Sequence, residues 1–151
     1  MSNNAAGFAW SRAALVGLIT AIVPSLFMVP MFKLGLSPMP APPSLLFAEM
    51  VMGQESLPMP VGLSFHLVYI MFWSFVFLLV LPSRSLVSAL GLAGVLWLGV
   101  LFVFFPIFGW GVGGLDVSVK LVPASFVPHL LFGLALWGST RALMPASSAR
   151  H

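Results

Sequence analysis

The chain has no cysteine and almost no charge. Six basic and three acidic side chains amount to 6% of its 151 residues, against about 25% in an ordinary soluble domain. Without cysteine there is no disulfide, no thiolate nucleophile and no thiolate metal ligand. Without charge a folded sphere of this size has no polar coat. Apolar residues make up 60% of the chain and the mean hydropathy is +1.12, so most of the polypeptide has lipid as its solvent. The net charge is only +3 and no basic cluster is present, which excludes nucleic acid as a partner. Disorder and a soluble coiled coil are excluded by the same composition.

Four apolar runs are long enough to cross a bilayer, at about residues 13–32, 61–81, 86–105 and 122–143. Backbone amides in hydrocarbon must be satisfied within the segment, so each run is expected to be helical. The runs lack the period-two alternation of a membrane β-barrel. The expected fold is all-α: one integral membrane domain over residues 1–151, built as a four-transmembrane-helix bundle. The first run follows Arg12, but Val29-Pro30-Met31-Phe32-Lys33 offers no small-x-small cleavage site. It is expected to be a retained helix rather than a signal peptide.

Arg12, Arg84, Arg141 and Arg150 fall on one side of such a bundle. Lys33 and Lys120, with all three acids (Glu49, Glu55 and Asp116), fall on the other. The positive-inside bias then places the arginine side and both termini in the cytoplasm.

Two connections face outward. The first carries Ser37-Pro38-Met39-Pro40-Ala41-Pro42-Pro43 and, later, Leu57-Pro58-Met59-Pro60. Between these proline clusters, residues 44–52 read as a short interfacial helix capped by Ser44 and stopped by Gly53. The second contains Gly109-Trp110-Gly111-Val112-Gly113-Gly114. It lacks the lysine and the strand–helix setting of a phosphate loop, and reads as a flexible turn with Trp110 at headgroup depth.

Apart from Arg141 at the end of the fourth, the spans contain no Asp, Glu, Lys or Arg. That argues against ion-coupled carriers, which keep an acidic relay in the bilayer, and against carboxylate catalysis. Asp116 lies in a loop and no nucleophile elbow is present, so a Ser-His-Asp hydrolase is not expected either. The groups left are His66 and His129, at comparable depth on two spans that run in the same direction. Tyr69 and Trp73 share the face of His66; Ser125 and Gly133 share that of His129. Pro128 leaves the Ala124 carbonyl without its helical donor.

Several roles fit these histidines. Each could bond a neighbouring helix through a hydroxyl or a freed carbonyl, the ordinary use of polar groups between spans. They could ligate a haem or other tetrapyrrole, with Gly133 making room for the macrocycle. Copper is a third role, since six of the nine methionines lie from Met28 to Met59 and thioethers suit Cu(I). Conduction or protonation is a fourth.

Small residues mark the packing faces. Ala13, Gly17, Ala21 and Ser25 recur every four residues on the first span, and Ser88, Gly91 and Gly94 form a shorter stripe on the third. Such stripes let helices approach closely, within the chain or against another subunit.

The motif order Met50-x-Met52-Gly53, Gly62-x3-His66-Leu67-Val68-Tyr69, Phe105-Pro106-x2-Gly109-x-Gly111 and His129-Leu130-Leu131-Phe132-Gly133 resembles the YagU-like group. These are small, mostly uncharacterised bacterial four-helix inner-membrane proteins with a histidine on helices two and four. Ile70 stands where that group has a glycine. The resemblance implies a multi-pass protein of the bacterial inner (cytoplasmic) membrane and supplies no reaction. The expectation is a non-enzymatic accessory subunit, partnered by the bilayer and by other membrane subunits or copies of itself, without a cofactor. The alternative is a small cofactor-binding or permeating protein that uses His66 and His129.

Overall fold

The computed structural model describes residues 8–144. Six helices follow in order: α1 (Trp10–Lys33), α2 (Pro43–Met52), α3 (Met59–Leu79), α4 (Leu86–Gly99), α5 (Phe105–Ile107) and α6 (Leu121–Leu143). A π-helical segment, Val100–Phe104, joins α4 to α5 without a break, so Leu86–Ile107 is one span. With α1, α3 and α6 it makes four helices long and apolar enough to cross a membrane. The protein is a four-helix membrane bundle. Its spans are apolar on all sides: Val68, Val87 and Leu26 are 68%, 81% and 71% exposed. That pattern suits lipid, not water.

The spans pack in the order α3–α1–α6–α4, and α3 and α4 share no comparable contact. The ring of helices is therefore open between two neighbours in sequence. Arg12 Nη1 donates to the Leu143 carbonyl at 3.5 Å, joining the start of α1 to the end of α6. At this terminal end Arg84 Nη2 donates to the Leu78 carbonyl at 3.1 Å and closes α3. The arginines thereby satisfy carbonyls that a helix end leaves bare.

Close packing follows the expected small residues on α1. Ala13, Gly17 and Ala21 are buried, and Ser25 is half-buried. A Cβ on Gly17 would lie 3.4 Å from the Met71 Cα, so this stripe seats α3 inside the chain. The stripe expected on α4 is different. Gly91 and Gly94 meet nothing within 4 Å, because α4 turns Ala89, Leu92, Ala93 and Leu96 inward instead.

The loop end also departs from expectation. Ser44 is not the cap of α2: Pro42 holds that place, and Pro43 opens the helix with its φ already fixed. Gly53, at φ 62°, does end it. Glu49 Oε1 accepts from the Leu57 N–H at 3.0 Å and turns the chain back toward α3. Helix α2 then sits on α3 so tightly that a Cβ on Gly62 would fall 2.8 Å from the Leu45 Cβ. Trp110 is not an exposed side chain of a flexible turn: it is 7% exposed, packed with Met39, Leu101, Phe105 and Leu121. Gly109, Gly111, Gly113 and Gly114 all take φ between 68° and 74°, and the turn they form folds that indole under the loop end.

Candidate functional site

His66 is the eighth residue of α3 and His129 the ninth of α6. At 1.5 Å per residue both lie about 11 Å below the loop end of the bundle. Equal depth would mean little if the helices turned these faces apart. They do not. Both imidazoles line one cleft of about 720 Å³ in the loop half of the bundle.

Its walls come from every span. α1 contributes Pro24, Ser25 and Met28; the π-helical segment contributes Val100 and Phe104. Local widening of the helix there compensates for Pro106, which has no N–H to offer the preceding turn. Helix α2 roofs the cleft through Phe47, whose ring meets Phe65 at 6.2 Å and Phe104 at 5.8 Å, both edge-on. Phe47 thus bridges α3 and the α4 span across the gap in the helix ring. Among the described residues no charged side chain lines the cleft.

The polar groups are few and their hydrogens are mostly committed. His129 Nδ1 lies 2.7 Å from the Ser125 carbonyl oxygen. A carbonyl only accepts, so Nδ1 carries the proton and neutral His129 keeps a bare Nε2. The partner is one turn back on the same helix, not the Ala124 carbonyl and not a neighbouring helix. Ser125 is held in turn: its hydroxyl donates to the Val122 carbonyl at 3.0 Å and accepts from Trp97 Nε1 at 3.1 Å. The second bond ties α4 to α6 at the depth of the cleft. His66 lies beside the Ala21 carbonyl of α1, and its Nε2 is buried without a hydrogen-bond partner.

The macrocycle space expected beside Gly133 is taken. A Cβ there would lie 3.0 Å from Leu90 Cδ2, 3.1 Å from the Ala93 Cβ and 3.3 Å from the Ala89 carbonyl. Gly133 exists for the contact between α6 and α4. Of the methionine-rich region, Met28, Met39 and Met59 reach the cleft and Met31, Met50 and Met52 do not. Among the described residues no three of His, Cys, Asp and Glu cluster as metal ligands.

Gly62 and Phe47 are the site residues that sequence reasoning passed over. Gly62, one turn before His66, was visible only as a motif letter. Its meaning, the seat of α2, depends on a contact with Leu45 that no local pattern encodes. No protein-family model, curated protein or solved structure matches the chain.

Proposed function

We propose that this is a non-catalytic integral membrane protein that holds a lipid-soluble guest, acting as an accessory to membrane proteins that use that guest. One observation carries the reading: an apolar, aromatic-walled cleft with both intramembrane histidines in it. Its volume falls in the range of ordinary small-molecule sites, about 300–1,000 Å³. A few polar atoms in such walls orient a guest. The gap between α3 and α4 offers a path from the bilayer that avoids water. Membership of the bacterial inner membrane, kinship with the YagU-like group and cytoplasmic termini belong to the same proposal; they rest on the motif resemblance and the arginine bias.

The test is native mass spectrometry of the protein released from lipid nanodiscs. A small molecule bound one to one is expected on the parent and depleted in Val100→Trp, which narrows the cleft. A parent that carries no guest and takes up no lipophilic probe contradicts the proposal.

A further inference from the structure

We infer that the guest is a neutral, lipid-soluble molecule whose head bears a hydroxyl group, recognised by the bare Nε2 of His129. The inference rests on the binding reading above and goes beyond it to the chemistry of the guest.

Ser25 donates its hydroxyl to the Ala21 carbonyl at 2.8 Å. Ser64 donates to the Pro60 carbonyl at 2.9 Å, and Ser125 to the Val122 carbonyl. His129 spends its one N–H on the Ser125 carbonyl. These four wall groups therefore face the cleft with lone pairs only. Tyr69 and Ser44 are the remaining hydroxyls of the wall, and a hydroxyl rotor serves as donor or acceptor. His66 Nε2 is buried without a partner and has no surface open to the cleft, so the recognition falls to His129.

A guest with acceptors alone, such as a ketone, an ester or an ether, leaves the His129 lone pair unmet in an apolar wall. That omission has a free-energy cost. A charged guest finds no counter-charge, since the walls have none. A hydroxyl on an apolar body meets both conditions. The aromatic rings of Phe47, Phe65, Phe104 and Phe132 favour a flat ring carrying that hydroxyl. Copper(I) would also accept lone pairs and thioethers, but one ion fills only a small part of about 720 Å³.

The probes are 4-nonylphenol and its methyl ether, 4-nonylanisole, titrated by calorimetry against the protein in nanodiscs. The ether replaces the hydroxyl hydrogen at issue with a methyl group. The phenol is expected to bind about ten-fold more tightly, the yield of one ordinary hydrogen bond. In His129→Phe the two affinities are expected to converge, with 4-nonylanisole still bound. Equal affinities in the parent overturn the hydroxyl inference and leave the cleft reading standing. A ten-fold preference that survives in folded His129→Phe overturns the assignment to His129. Failure of both probes to bind removes both readings. Should His129→Phe not fold, the ratio in the parent still decides, with Val100→Trp as the variant that binds both ligands more weakly. Histidine-dependent uptake of copper(I) alone, without discrimination between the probes, also overturns the inference.

Discussion

His129 Nδ1 is bonded to the Ser125 carbonyl at 2.7 Å, one turn back along α6. That single bond sets the tautomer and leaves Nε2 bare on a residue that lines the cleft. Ser125 is itself fixed by Trp97 from α4, so ring orientation depends on the packing of two spans.

Replacing His129 with Gln is expected to be tolerated. An amide replaces one imidazole bond, and intramembrane hydrogen bonds are worth about 0.6 kcal/mol and at most about 2. His66→Gln, which removes no bond of its Nε2, is expected to cost no more. Both variants should keep their helical circular dichroism. The purified parent should show no Soret band, because α4 occupies the space beside Gly133. A Soret band lost on either substitution contradicts this.

Gly17→Leu is expected to destabilise the bundle by about 1–3 kcal/mol, the usual range for overpacking. The Met71 backbone stands against that position and cannot yield as a side-chain tip would. Gly99→Leu is the control, with nothing within 4 Å of its Cβ. Detergent-resistant melting of the two variants should separate them. Equal behaviour means α1 and α3 are not packed as described.

Gly62→Ala tests the roof. Its methyl would collide with the Leu45 backbone, so α2 should lift from α3 while the spans persist. Protease cleavage in the connection over residues 53–58 should accelerate several-fold, with little change in helical content. Unchanged cleavage would show that α2 is not seated there.

Cysteines at Ser37 and Ser83 should label from opposite faces of the membrane, Ser37 from outside. Labelling from the same face contradicts the four-span fold; reversed labelling contradicts the orientation alone.

Most of the fold was legible because bilayer crossing is a demand on composition. Hydropathy placed each span within a few residues of its observed ends, such as 122–143 against Leu121–Leu143. The equal depth of His66 and His129 was likewise a matter of counting along helices. Azimuth was not legible. A span that is apolar all round has no polar face to show which side meets protein, so Gly91 and Gly94 read like Gly17 yet face outward. Ser44 lost the cap to Pro42 because Pro43, with no N–H to satisfy, suits the first helical position. Trp110 looked like an anchor, but four glycines with positive φ fold its ring inside.

The cleft itself is tested most directly by photolabelling. A lipophilic alkyl diazirine, activated with the protein in nanodiscs and mapped by peptide mass spectrometry, reports which residues a guest touches. The account predicts labels around His66 on α3 and around His129 on α6, depleted in Val100→Trp. Labels confined to lipid-facing positions such as Val87 and Val95, and unchanged in Val100→Trp, would contradict it.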